Sequence, residues 1–511
     1  MENLPDVDEL RERTAPLEME PEEFRELGHN LIDQLADFLA SLRDLPVTPG
    51  ESSVEVRQAM GASDSLPEQG TDPGPLLDQT AQLLLDHSLF NGHPRFWGYI
   101  TSSAAPIGML GDLLAAAVNP NVGAWKLAPL ATEIEAQTVR WIAELIGYPA
   151  GCGGLLVSGG NLANFICFLV ARTAKASWEV REVGLRHKTG RHLRVYASSE
   201  THTWIQKATD LSGLGTDSIR WISTDEKQRL DVARLRQRIQ EDLDQGDQPF
   251  LVVGTAGSVS TGAIDPLPEL AAICREYELW FHVDGAYGAF ASVLPDLSSD
   301  LSGLTEADSI ALDPHKWLYA PLEAGCVLVR DAKGLGDTFS YHPPYYHFDK
   351  EAINYFDLGL QNSRGFRALE VWLALRQVGR AGYTRMIADD IRLAQELYRC
   401  VKDHPELEAL TQSLSITTFR YVPPDLVTQC GSRKVEAYLN QLNQEILTHL
   451  EAGGEVFLSN AMLDGKFALR VCIVNFRTSL EDIEALPEIV TRLGRQVDTA
   501  LRPEGLSGPQ H

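Results

Sequence analysis

Three short segments carry residue types that could do chemistry on a carbonyl compound. Asp313-Pro314-His315-Lys316-Trp317 follows the apolar run SIAL, so a lysine stands where a strand gives way to a loop. It could attack a carbonyl if partial burial beside Trp317 and a neighbouring cation depress its pKa. Taken alone, the pentapeptide reads as a surface lysine after a turn. In LWFHVDGAYG, residues 279–288, a continuous apolar strand ends on Asp284. A carboxylate there is unfavourable unless paired. The protonated nitrogen of a pyridine ring would pair with it, and the acid would keep that nitrogen positive and the ring electron-withdrawing. A cap on a following helix is the competing reading. LLVSGGN, residues 155–161, runs from strand into helix. Its glycines let the backbone approach a ligand, and helix N-terminal amides bind phosphate. No G-K-[ST] ending comes after it, which excludes a nucleoside-triphosphate loop, and by itself the segment is a turn.

These segments belong to a pattern of strand-like runs alternating with helices. GLLVSGG, LRVYASSE, IRWIST, PFLVVGTAG, LWFHVDGAYG, SIALD and GCVLVRD are short, apolar and end in Gly, Ser, Thr, Asp or Glu. Such alternation predicts an α/β domain, with a mostly parallel seven-stranded sheet, helices on both faces and ligands at the carboxyl ends of the strands. Ahead of it, Phe24, Leu27, Leu31, Leu35 and Leu39 recur at helical spacing. The expected organisation is an N-terminal helical arm over residues 1–100, a large domain over 101–385, a small C-terminal α+β domain over 386–500 and a disordered tail over 501–511. In the small domain, strands are expected at 414–421, 456–460 and 467–475.

Composition narrows the partners. With 44 basic and 71 acidic residues, the net charge is -27, which disfavours nucleic acid and anionic membrane. Seven scattered cysteines form no C-x-x-C pair, so neither a disulfide framework nor a zinc site is expected, and no metal is called for. No segment reads as a signal peptide or membrane span, and a cytoplasmic location is expected.

Phosphate cradle, strand-end acid and lysine, in that order, resemble the group II pyridoxal-phosphate-dependent amino-acid decarboxylases, which share the aspartate-aminotransferase fold (fold type I). HPRFWGYITSS, GAWKLAPLATEIE, GTAGSVSTGAIDPL and LRVCIVNFRTS extend the likeness over nearly the whole chain, and the aromatic-L-amino-acid decarboxylase-like branch is the most similar. The resemblance implies that Lys316 binds pyridoxal 5'-phosphate covalently and Asp284 pairs with its ring nitrogen. It implies that His202 stacks on the ring, and that Gly160, Asn161 and His315 serve the phosphate side. Thr255 and Ala286 would line the ring. Tyr355 falls where the family has a loop tyrosine that protonates the substrate carbanion, with Tyr345, Tyr346 and Phe356 its competitors.

The resemblance further implies decarboxylation of an L-amino acid, with an aromatic substrate expected, to an amine and carbon dioxide. Tyr99, Ile100 and Thr101, with His202, would contact the substrate, and no basic residue marks a side-chain carboxylate site. Ala124 stands where the aromatic branch has a bulky ring, and Asp313 where animal aromatic enzymes have asparagine. The alternatives are an aldehyde synthase on the same cofactor, a decarboxylase of a non-aromatic acid, and a non-catalytic relative. A homodimer is expected, because the arm is too small to form a core alone.

Overall fold

The computed structural model describes residues 11, 13, 15–185, 191–341 and 352–506. Two compact units emerge, one of residues 1–90 with 452–455, the other of 91–451 with 456–511. In the first, helix Pro21–Ser41 follows the predicted spacing and begins with a proline in its first turn. It has no buried residue, and Phe24 is 64% exposed. Residues 91–100 were expected in this arm but belong to the second unit. Trp97 is fully buried there, and its amide donates to the Phe457 carbonyl at 2.9 Å.

The second unit contains the expected sheet. Its strands are β1 (Gly153–Val157), β2 (Leu193–Ser198), β3 (Ile219–Ile222), β4 (Gln248–Thr255), β5 (Trp280–Asp284), β6 (Ser309–Leu312) and β7 (Gly325–Val329), in the spatial order β1-β7-β6-β5-β4-β2-β3. Only β7 runs antiparallel to its neighbours. Alternation sends Leu156, Val252, Phe281, Val283 and Leu328 into one apolar layer and Leu155, Val253, Trp280, Ala311 and Val327 into the other. Both faces are therefore covered, which is why these strands read as continuous apolar runs rather than alternating ones.

A second sheet, β10-β11-β9-β8, comprises β8 (Leu407–Ser413), β9 (Ile416–Tyr421), β10 (Ser459–Leu463) and β11 (Lys466–Cys472). β8 is missing from the sequence reading because LEALTQS is a half-buried edge strand without an apolar run. β10 begins at Ser459, three residues beyond the start of the expected strand. The boundary expected at 385/386 falls inside helix Ala368–Lys402, which bends at Gly379, where φ is 66°. Only a residue without Cβ takes that conformation readily. Of the tail, residues 507–511 lie outside the described residues.

One buried ion pair ties the sheet edge to the chain that precedes helix Ala368–Lys402. Arg364 meets Glu135 through both guanidinium ends, at 2.5 and 3.1 Å, with side chains 1% and 0% exposed. Glu135 also accepts from the Leu156 amide on β1, while Arg364 donates to the Leu156 and Val122 carbonyls. Arg364→Leu would strand a buried carboxylate, and a loss of about 3–5 kcal/mol is expected in denaturant unfolding. The double variant Glu135→Leu/Arg364→Leu should recover part of that loss.

Candidate active site

Parallel strands bring their carboxyl ends to one edge, and pairing fixes which residues meet there. Thr255 pairs with Asp284, and Asp284 with Ala311. Two residues beyond Ala311 comes Asp313, followed by Lys316. At this edge lies a cavity of about 360 Å³ lined by, among others, Gly160, Asn161, His202, Thr255, Asp284, Ala286, His315 and Lys316. Every residue expected to touch the cofactor is thus brought to one place, from segments up to 156 positions apart.

The Lys316 ammonium lies 3.0 Å from Asp313 Oδ2. Its close neighbour is therefore an anion, not the cation expected from sequence. Trp317 turns away into the core, stacking on Tyr287 with centroids 4.8 Å apart and donating to Asp390 at 2.8 Å. His315 Nδ1 lies 2.7 Å from the Ala324 carbonyl, which holds the ring against the glycine turn. Burial pushes its pKa below the usual histidine range.

Asp284 is 6% exposed, and its Oδ2 accepts from Trp204 Nε1 at 2.7 Å while Oδ1 accepts from the Ala286 amide at 3.2 Å. His202 remains open to the cavity. Loss of hydration in the cleft lowers its pKa, with Lys316 adding to the effect and Asp284 opposing it. The ring is therefore neutral at physiological pH and able to stack on an aromatic ligand.

The cavity's chemistry fits pyridoxal phosphate. Thr255 Oγ1 and Asp313 Oδ1 are buried without a partner among the described residues, as expected of groups that serve a ligand. Gly159 has φ 117°, and a Cβ on Gly160 would come within 2.6 Å of Asp313. Glycine is required at this turn into helix Gly160–Lys175, whose first amides lack partners within the helix. Gly160 and Asn161 would hold the phosphate, Asp284 the ring nitrogen, His202 the ring face and Lys316 the aldehyde carbon.

Three residues expected at the site do not line the cavity. Tyr355 is 1% exposed in the apolar layer that contains Leu155 and Val157, with its ring 4.5 Å from the Arg364 guanidinium, and does not line the cavity. The long polar stretch before it reads as one loop, yet residues 352–360 pack back onto the domain, starting with the Phe356 amide on the Gly123 carbonyl. Tyr345 and Tyr346 lie outside the described residues, and Phe356 is not a cavity residue. Tyr99 and Thr101 do not line the cavity either, whereas Ile100 between them does. Tyr99 is 60% exposed, with a backbone φ of 51° that turns it outward beside Phe457.

Sequence reading missed the layer behind the site. His282 shares a strand face with Asp284, two positions on, and is fully buried. Its Nε2 lies 2.7 Å from Asn164 Oδ1 and its Nδ1 2.9 Å from Ser309 Oγ. Asn164 Nδ2 donates to the Gly160 carbonyl and Trp280 Nε1 to Ser309 Oγ. Only the neutral tautomer with hydrogen on Nε2 satisfies every group. Period-two alternation along LWFHVD was the available signal.

Against known proteins, residues 58–422 match the model of the pyridoxal-dependent decarboxylase conserved domain. The aromatic-L-amino-acid decarboxylase of Bacillus atrophaeus is 33% identical over 94% of this chain and 97% of its own. Phenylacetaldehyde synthase of a Rosa hybrid cultivar is 28% identical over 92% and 93%. Among solved structures, Oryza sativa TDC with PLP and tryptamine superposes with a TM-score of 0.86, at 25% identity, over 95% of this chain and 99% of that one. Fold and site define a fold type I enzyme built around pyridoxal phosphate. The chain belongs to the pyridoxal-dependent decarboxylase family and is a carboxy-lyase.

Burial lowers the His282 pKa to about 4, against roughly 6.5 when unfolded. Between those values the unfolded chain binds the additional proton, so stability falls as pH falls through that window, by up to about 3 kcal/mol. Chemical denaturation of the wild type and His282→Gln at pH 7 and pH 4.5 checks this. The variant should lose less stability between the two pH values.

Proposed function

We propose that this enzyme decarboxylates an aromatic L-amino acid to the corresponding amine. The observation that supports the reading best is the cavity in which Lys316, Asp284, His202 and the Gly160 turn converge. The chemistry supplied by bound pyridoxal phosphate is an electron-withdrawing ring that accepts the electron pair left when carbon dioxide departs. Asp284 would hold the positive charge at the ring nitrogen, and His202 would cover one ring face. Lys316 would provide the amine that holds the cofactor. Among the described residues of the cavity, His202 and Lys316 are two groups that could return a proton to the α-carbon.

The aromatic preference rests on the wall. Ile100, Val259 and Leu322 are apolar, and Lys316 is the sole Lys or Arg among the described lining residues. Glu200 and Glu323 also face the cavity, so a second carboxylate on the substrate would meet repulsion and no cation. The relatives include both an aromatic-amino-acid decarboxylase and an aldehyde synthase, so products must be assayed directly. With L-tryptophan, L-tyrosine, L-phenylalanine, L-dihydroxyphenylalanine and L-glutamate offered in turn, at least one aromatic acid should yield amine and carbon dioxide in equal amounts. Glutamate should be about 100-fold slower or worse, as expected when a charge is buried unpaired. Aldehyde, ammonia and hydrogen peroxide as the main products would select the synthase reading. Borohydride reduction of the holoenzyme should fix the pyridoxyl group on Lys316, and label on another lysine would refute the assignment.

A homodimer and a cytoplasmic location complete the proposal. Leu110, Leu113, Leu114 and Val118 form an apolar face on helix Pro106–Val118, each more than half exposed. A second copy would cover it. All seven cysteines are free, which suits a reducing compartment. Among the described residues, no helix is long and apolar enough to cross a membrane. Sedimentation at micromolar concentration should give a dimer, and Leu113→Glu/Leu114→Glu should shift it to monomer.

A further inference from the structure

We infer that Trp204 is a positioning residue for the cofactor's electron sink: its indole N–H engages Asp284 and keeps the proton shared with the ring nitrogen on the nitrogen. The inference rests on the reading of Asp284 as the ring-nitrogen partner. It starts from the tripeptide His202-Thr203-Trp204, which closes the turn after β2 and opens helix Trp204–Leu211. His202 is open to the cavity, while Trp204 is 2% exposed and belongs to the apolar layer beneath it. One turn thus supplies the cavity with an imidazole and the floor with an indole.

The indole has one polar atom, and that atom goes to Asp284 Oδ2 at 2.7 Å. No arginine or lysine forms an ion pair with Asp284 among the described residues, since Lys316 is engaged by Asp313. The carboxylate charge is therefore carried by two N–H donors, from Trp204 and Ala286. A donor to a carboxylate stabilises its charged form and makes it a weaker base. A weaker base competes less well for a proton placed between itself and a pyridine nitrogen. Removing the indole N–H strengthens the base and moves that proton toward Asp284, leaving the ring less electron-withdrawing.

The orientation of the indole is also fixed. Trp204 meets His282 edge to face, with centroids 5.6 Å apart and planes at 86°. His282 is in turn held at both nitrogens by Asn164 and Ser309. Asn164 lies on the helix whose first residues form the phosphate cradle, and its amide donates to the Gly160 carbonyl. The grip on the phosphate end and the charge at the nitrogen end thus share one chain of rigid contacts.

The test compares wild type, Trp204→Phe and Trp204→Tyr, each reconstituted with pyridoxal phosphate labelled with nitrogen-15 in the ring. The wild type should show a protonated ring nitrogen. Trp204→Phe should move that signal toward the neutral-pyridine position. It should also lower kcat by about 10- to 100-fold, the equivalent of one hydrogen bond to a charged group, with KM within about twofold. Trp204→Tyr, whose hydroxyl can donate from the same space, should recover part of both effects. A wild-type signal in the phenylalanine variant, or equal shifts in both variants, would overturn the role of the N–H. A crystal structure of the wild-type holoenzyme decides the matter without a variant. The indole kept within hydrogen-bond reach of Asp284 supports the inference, and an indole turned away refutes it. If the wild type itself takes up no label or shows a neutral ring nitrogen, it is the reading of Asp284 that fails.

Discussion

Asp284 ends a strand whose residues are all buried, so its charge has to be held by groups that the fold supplies. Two donors do this in the protein alone, the Trp204 indole and the Ala286 amide. A cationic ring nitrogen would complete the set with the cofactor bound. That requirement accounts for the arrangement around it. β5 has to lie in the middle of the sheet, β2 has to deliver the His202–Trp204 turn beside it, and His282 has to remain neutral below.

Asp313 and Lys316 obey the same rule of paired burial. Asp313 comes from the end of β6 and Lys316 from the turn beyond it, and the two satisfy each other at 3.0 Å. Asparagine at position 313 would be a weaker partner for the ammonium, so the acid gives this chain a tighter arrangement around its lysine. Thr255 Oγ1 and Asp313 Oδ1, buried atoms of two residues that line the cavity, keep unused hydrogen-bonding capacity among the described residues. A site poised for a polar ligand is expected to hold such groups.

At the far edge of the sheet, the Glu135–Arg364 pair performs a structural task that bears on function. It joins β1, the segment at Val122 and the chain leading into helix Ala368–Lys402. Tyr355 stacks on this pair instead of entering the cavity. The aromatic content of the stretch before Arg364 thus serves the core at Tyr355. With that ring in the core, proton return within this chain's cavity rests on other groups.

Local chemistry in the sequence was enough to recognise the seven strands of the main sheet and to single out the glycine turn, Asp284 and Lys316 as candidates, while their roles came from the family resemblance. Strand-end positions and apolar runs are properties of a few consecutive residues, and the parallel α/β rule sends strand ends to one edge. The family resemblance placed His202 at the site but passed over Trp204, because an indole two residues later reads as ordinary core until β5 is seen beside it. It assigned Tyr355, Tyr99 and Thr101 to the cavity by motif position, and packing decided otherwise. A side chain's direction depends on which surfaces are available at long range: Tyr355 found the Arg364 guanidinium, and Tyr99 was turned outward by its own backbone. The anion beside Lys316 and the tautomer of His282 were likewise settled only in three dimensions. Each depends on partners dozens to more than a hundred positions away, or on a turn whose direction no local pattern specifies.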